Sequence, residues 1–318
     1  MTVLVLVEHA SGEPDELSQQ ALTFARDLGD QAHAVLFGAG AEAAAQRLGP
    51  LRVSTAHIVD GLDAYAPAAW AQSIVELIGR ASPEFVLGPG TERGNEVLAH
   101  VAARTDQPLA ANCVSVTRGA PLSVTRVRWG GSLLEEAQLH GSPAVLTVAP
   151  HAVAVQSAAG GVVSAEPFTP TLEQADLVAC VRETVPTVSA GVSLTDADVV
   201  VSGGRGVGSA EGFAVIEELA ALLGGAVGCS RAVTSAGWRP HTDQVGQTGT
   251  KISPEIYIAC GISGATQHMA GCKGAKKLLA INPDGEASIF ASADYAVIGD
   301  LHEVVPAISA EVRKARGT

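Results

Sequence analysis

Apolar residues in this chain fall into short unbroken runs separated by amphipathic stretches, the pattern of strands buried on both faces alternating with helices. The run VLVLVEH at 3–9 predicts a first strand, and residues 15–29 place Leu17, Ala21, Leu22, Ala25 and Leu28 on one helical face, with Gly29 as a stop. Strands at 32–38, 53–59 and 84–90 then alternate with helices at 40–48, 67–81 and 93–105. This βαβ rhythm predicts a doubly wound, mainly parallel sheet. Between 115 and 139 short alternating runs with glycine turns predict antiparallel strands added to that sheet, which closes with strands at 143–150 and near 177–182.

Residues 182–198 are rich in Pro, Ser, Thr and Asp, and they separate two stretches of regular pattern. The predicted division is 1–186 and 187–318, which makes the fold class α/β with two doubly wound, mainly parallel-sheet domains. In the second domain, buried strands are predicted at 198–205, 226–231, 256–263, 278–282 and 295–300. Each ends on polar residues: Arg205, Ser230 with Arg231, Ser263, Asn282 and Asp300. Ligands of open parallel sheets bind in the crevice outside the strand carboxyl ends, so these endings predict a ligand site.

Composition narrows the field. At 318 residues, 47% hydrophobic and 17% charged, the chain has the balance of a folded protein with room for two cores. The net charge is −13 without a basic cluster, which argues against nucleic acid. The charge is uneven: residues 1–186 carry −10, with ten arginines and no lysine, whereas 187–318 carry only −3. The nearly balanced second domain is the one suited to an anionic ligand. No apolar stretch reaches bilayer length and the N-terminus lacks a signal-peptide pattern, so a cytoplasmic protein without membrane insertion is expected. Cys113, Cys180, Cys229, Cys260 and Cys272 are widely spaced and are expected to pack as small apolar residues. Neither they nor the histidines show metal-ligand spacing, and no metal is assigned. Trp70, Trp129 and Trp238 are expected to serve core or edge packing.

Two glycine-rich turns, SGGRGVGS at 202–209 and GISGA at 261–265, offer free backbone N–H groups suited to a diphosphate. Arg205 can pair with it, while Asn282 and Asp300 can bond sugar hydroxyls or adenine edges, which together suggest a dinucleotide. In the first domain, EHASGEP stands after the first strand where a dinucleotide fingerprint would be, so no second nucleotide is expected there. A serine hydrolase is disfavoured because neither Ser263 nor Ser230 lies in G-x-S-x-G. Glycine turns alone leave a nicotinamide-dinucleotide-binding module open.

The segments SGGRG (202–206), GCSRA (228–232), QVGQTG (244–249), PEIYIACGISGATQHMAG (254–271), AIN (280–282) and ADYAVIGDL (293–301) closely resemble the electron transfer flavoprotein α subunit, also called the FixB family. The resemblance is dense across the second domain and reaches the first strand and helix. It implies a C-terminal FAD-binding domain of the DHS-like NAD/FAD-binding type and an N-terminal domain of the adenine-nucleotide-hydrolase-like type that contacts the β subunit. It further implies one FAD per α chain, AMP in the partner β subunit, and a heterodimeric electron carrier rather than a substrate-converting enzyme. Expected donors are acyl-CoA and other flavin dehydrogenases of fatty-acid β-oxidation, and the expected acceptor is a membrane quinone oxidoreductase. An α-like subunit of a specialised or electron-bifurcating complex stays open.

Carried onto this sequence, the resemblance assigns Arg205, Ser230, Ser263, Gly264, Asn282 and Asp300 to the ADP half of the cofactor. Val245, Gly246, Gln247 and Thr248 run along the flavin, Ala265, Thr266 and Gln267 continue the turn, and Arg231 and His268 fall near the redox-active ring. Arg231, Thr248 and His268 are therefore the expected tuning residues. A guanidinium and a hydrogen-bonded imidazole in a site of low dielectric would stabilise negative charge on the reduced ring.

Overall fold

The computed structural model describes residues 2–131, 133–158, 160–183 and 192–317. By its internal contacts the chain divides into two compact units, Met1–Val185 and Pro186–Thr318. The boundary predicted at 186/187 lies within 184–191, outside the described residues.

The first unit is built on strands β1 (Thr2–Leu6), β2 (Gln31–Phe37), β3 (Val53–Val59), β4 (Phe85–Pro89), β5 (Leu109–Thr117), β6 (Leu122–Arg128), β7 (Leu133–Leu139), β8 (Ala144–Val148) and β9 (Ser164–Phe168). They form one sheet in the order β9-β3-β2-β1-β4-β8-β5-β6-β7. All neighbours from β9 to β5 are parallel, and β6 and β7 add antiparallel strands at the far edge. Side chains alternate along β1: Val3 and Val5 pack against helices α1 (Glu16–Ala25) and α2 (Ala41–Gln46), while Leu4 and Leu6 pack against α3 (Pro67–Ala81) and α4 (Glu92–Thr105). Both faces are thus covered, which is why the strands read as continuous apolar runs.

The chain folds tightly after β1, where the buried Glu8 accepts the hydroxyl proton of Thr91 and its backbone N–H donates to Ser18 Oγ. Burial raises the Glu8 carboxyl above the usual carboxylate range.

Three expectations for this unit need correction. No strand forms at 177–182; the apolar Leu177 and Val178 are exposed there, and the ninth strand is β9, paired with β3. Ser164–Phe168 carries a proline and shows solvent on almost every residue, so it is an edge strand without an apolar signal. Trp129 is 82% exposed beside the β6–β7 hairpin, not packed. Cys180 is exposed, unlike Cys113, Cys229, Cys260 and Cys272, whose thiols burial pushes up to about 12.

The second unit carries β10 (Val199–Gly203), β11 (Ala226–Cys229), β12 (Ile256–Cys260), β13 (Leu278–Asn282) and β14 (Tyr295–Ile298) in a parallel sheet of order β11-β10-β12-β13-β14. Val201, Ile258 and Ile281 on one face pack against helices α5 (Ala214–Leu223) and α8 (Leu301–Arg316). The short helix α6 (Arg231–Ser235) follows β11 after one residue, and α7 (Thr266–Cys272) follows β12 after the turn 261–265. On the opposite face Val200, Tyr257 and Ala280 form a core with Ile252, Cys272 and Ile289. No helix among the described residues is long and apolar enough to cross a membrane.

Candidate functional site at the strand carboxyl ends

The order of the second sheet places the ends of β10 and β12 side by side, and their two glycine turns meet backbone to backbone. Gly204 N–H donates to Cys260 O (2.8 Å) and Gly206 N–H to Gly261 O (3.1 Å). A Cβ on Gly204 would stand 2.2 Å from Gly261 O, and Gly261 itself has φ +62°. The glycines at 204 and 261 are therefore required by this approach, whatever the turns bind. Gly204 leads into a 3-10 turn, Arg205–Val207, and α5 begins only at Ala214, so this turn does not open an α-helix directly.

A cavity of 690 Å³ lies over these ends, a size suited to a cofactor. It gathers residues from four neighbouring turns. Arg205 comes from the turn after β10, Ser230 and Arg231 from the junction of β11 with α6, Ser263 and Ala265 from the turn after β12, Gln267 and His268 from the first turn of α7, and Asn282 from the end of β13. The remaining wall is the loop Val245, Gly246, Gln247 and Thr248. That loop is held by Val245 N–H donating to Cys229 O (2.9 Å) and Gln247 N–H to Gln267 O (2.7 Å). It lies so close to α7 that a Cβ on Gly271 would stand 2.3 Å from Gly246 N.

Three of the expected residues do not line the cavity. Gly264, at φ +88°, packs on the Ile289 backbone, Thr266 is exposed at the start of α7, and Asp300 caps α8 by accepting from His302 N–H at 2.8 Å. Asn282 reaches the wall with both ends of its amide engaged: Nδ2 donates to Ile262 O (3.0 Å), and Oδ1 accepts from Asp284 N–H (3.0 Å). It shapes the rim as much as it faces a ligand. Gln244, Ser235, Pro283 and Asp284 also line the cavity and were not singled out from sequence. A loop position gives no periodic signal of burial, and Gln244 is buried.

The electrostatics differ from one wall to another. Arg205 and Arg231 are exposed at the rim, and Asp284 is the single carboxylate among the lining residues. His268 is buried and its Nε2 lies 2.7 Å from the hydroxyl of the fully buried Tyr257. Burial lowers the His268 pKa to about 4, with a weaker opposing pull from the Val245 backbone. The ring is therefore neutral near pH 7 and can offer a hydrogen bond but no charge. Its Nδ1 is closed to solvent and makes no hydrogen bond of normal geometry. Burial also raises the Tyr257 hydroxyl well above its ordinary value, so the phenol stays protonated.

A larger cavity of 1090 Å³ runs along the outer edge of β11, lined by Leu194, Ala226, Val227 and the Arg239–Asp243 ion pair. None of the sequence-predicted site residues reaches it.

Residues 3–171 match the family model described as "Electron transfer flavoprotein domain", and residues 193–273 match "Electron transfer flavoprotein FAD-binding domain". The chain is 37% identical to the electron transfer flavoprotein subunit alpha of Syntrophomonas wolfei subsp. wolfei, covering 98% of each chain. It is 40% identical to the subunit of that name from Mycobacterium leprae, covering 99% of each. It is 34% identical to Protein FixB of Clostridium saccharobutylicum, covering 98% of this chain and 96% of that one.

Proposed function

The chain belongs to the electron transfer flavoprotein α-subunit family, and we propose that it holds one FAD in the cavity of its second unit and carries electrons as half of a heterodimer. On this reading it receives electrons from acyl-CoA and related flavin dehydrogenases and delivers them to a membrane quinone oxidoreductase. It acts as a carrier and converts no substrate of its own. The observation that carries the proposal is the convergence of two interlocked glycine turns, the 245–248 loop and two rim arginines on one cavity of 690 Å³.

These residues fit a flavin dinucleotide on three counts. The cradle at Gly204 and Gly261 is closed to any side chain, so backbone alone lines that floor. Arg205 and Arg231 offer positive charge to an anionic ligand at an otherwise acidic protein's surface. The buried, neutral imidazole of His268 sets a polar group into the cavity wall.

The FAD, when bound, supplies reversible one- and two-electron redox chemistry. The chain's own residues bind and tune it. Arg205, Ser230 and Ser263 would hold the diphosphate, with Ala265 and Gln267 continuing that surface. Asn282 would stand at the adenosine end, its amide already held by Ile262 O and Asp284 N–H. Val245, Gly246, Gln247 and Thr248 would lie along the ring, where Thr248 donates a hydroxyl proton. Arg231 would supply the charge that favours reduction, and His268 a neutral hydrogen bond.

A β subunit carrying AMP is the proposed partner. The first unit supports this through Trp129, Leu133 and Leu134, large apolar side chains that stand in solvent at the β6–β7 hairpin. The test is co-production of the chain with its β subunit. A yellow complex with one FAD per α chain, bleached anaerobically by an acyl-CoA dehydrogenase and its substrate, is expected; a folded but colourless heterodimer overturns the reading.

A further inference from the structure

Gln244 is 2% exposed, the most deeply buried polar side chain on the cavity wall. Its backbone is pinned, the N–H donating to His241 O (3.0 Å) and the carbonyl accepting from Thr250 N–H (2.7 Å). Its side chain spans two hydroxyls. Oε1 accepts from Thr234 Oγ1 at 2.7 Å, and Nε2 donates to Thr248 Oγ1 at 3.0 Å.

The contact distances set the direction of this chain. Thr234 has one hydroxyl proton and two acceptors in reach, Gln244 Oε1 at 2.7 Å and Arg231 O at 3.0 Å. The shorter contact takes the proton, which turns the amide nitrogen toward Thr248. Thr248 oxygen then receives a hydrogen bond from behind, and its own proton is left to point elsewhere. Thr248 is exposed and lines the cavity, so the open direction for that proton is toward the ligand.

We propose that Gln244 is a positioning residue that fixes the polarity of the Thr248 hydroxyl, making it a hydrogen-bond donor toward a ring-nitrogen acceptor of the flavin. The proposal rests on the FAD reading above. An amide in the opposite orientation would take the Thr248 proton and present an oxygen lone pair to the cavity, which suits a donor ligand. Gln244 therefore selects for an oxidised ring whose edge nitrogen accepts.

The test uses Gln244→Glu, which keeps the side-chain shape and still accepts from Thr234 but can only accept at Thr248. The hydroxyl proton must then turn away from the cavity. Thr248→Val removes the hydroxyl, and Gln244→Met removes the amide without adding charge. Each variant of the full chain is co-produced with its β subunit, stripped of flavin and reloaded with FAD labelled with ¹⁵N at N5. Affinity is followed by fluorescence titration, and the hydrogen bond by the N5 ¹⁵N resonance.

Thr248→Val and Gln244→Glu are expected each to weaken FAD about tenfold, the equivalent of one hydrogen bond, and to move the N5 resonance in the same direction. Adding either Gln244 change to Thr248→Val should leave that resonance where Thr248→Val alone puts it. Gln244→Glu in the Thr248→Val background also isolates the effect of the added charge on affinity. A wild-type resonance in both Gln244 variants, or a further shift in the double variants, overturns the proposal. Should wild-type protein bind no FAD, the flavin reading fails instead, and the two failures are distinct.

Discussion

The hydroxyl of Tyr257 and Nε2 of His268 lie 2.7 Å apart beneath the cavity, and both side chains are buried. A neutral imidazole is thereby stored in a site where a charged one would be costly. The folded pKa of about 4 stands below the ordinary value of 6.5, so the unfolded chain binds a proton first as pH falls. The stabilisation is complete above pH 6.5 and is lost between there and about pH 4, an effect on the order of 3 kcal/mol. His268→Gln should remove this dependence. Thermal unfolding of both proteins between pH 7 and 4 is the measurement, and parallel curves would show that His268 does not titrate with folding. Tyr257→Phe, which leaves Nε2 unpartnered, should cost about 1–2 kcal/mol at neutral pH.

The placement of the site was legible because the polar endings of five strands do not depend on packing detail. A parallel sheet brings its carboxyl ends to one edge, and β10 to β13 duly bring Arg205, Ser230, Ser263 and Asn282 to one cavity. What could not be read were properties that exist only after folding. The neutral state of His268 comes from burial, and the role of Gln244 comes from two threonines at 10 and 4 residues' remove. Residues 164–168 were missed as a strand for the opposite reason. An exposed edge strand has backbone pairing without an apolar pattern, whereas Leu177 and Val178 have the pattern without the pairing.

Gly271 sets how closely the 245–248 loop lies on α7. Gly271→Ala would place a methyl group 2.3 Å from Gly246 N, a backbone atom that cannot rotate away. The loop must lift, and overpacking of this kind costs about 1–3 kcal/mol. FAD retention after gel filtration should fall together with the unfolding temperature. Unchanged retention would show that the loop is not part of the binding wall.

Asp300 separates a structural role from a binding one. Its carboxylate caps α8 through His302 N–H, and Asp300→Ala should cost the helix about 1 kcal/mol. Asp300→Asn keeps the capping oxygen. If the carboxylate also holds the adenosine end of the cofactor, Asp300→Asn should retain the unfolding temperature but release FAD faster in a dissociation assay. Wild-type release would confine Asp300 to capping.

Arg231 is the rim charge proposed to favour reduction, since His268 is neutral and Arg205 is proposed for the diphosphate. Arg231→Ala should leave FAD bound and lower the flavin potential by about 60 mV, the equivalent of a tenfold change in a one-electron equilibrium. An anaerobic redox titration reads this directly. An unchanged potential would remove Arg231 from the tuning.

Trp129 is held at φ +52° and is 82% exposed, with Leu134 at 69% beside it. A left-handed backbone at a bulky residue costs about 1–3 kcal/mol, and the exposed ring regains none of that by burial in the unit that carries it. The first unit as a whole is strongly acidic, at −10, so approach of a second copy of the unit is disfavoured and a different partner is favoured. Trp129→Ser with Leu134→Ser should therefore leave the thermal stability of the α chain unchanged and weaken its complex with the β subunit. A single aromatic hot spot is worth about 2 kcal/mol, so a loss of about 30-fold in affinity is expected by sedimentation equilibrium. Full affinity in the double variant would place the β-subunit contact elsewhere on the first unit and leave the exposed indole without a partner role.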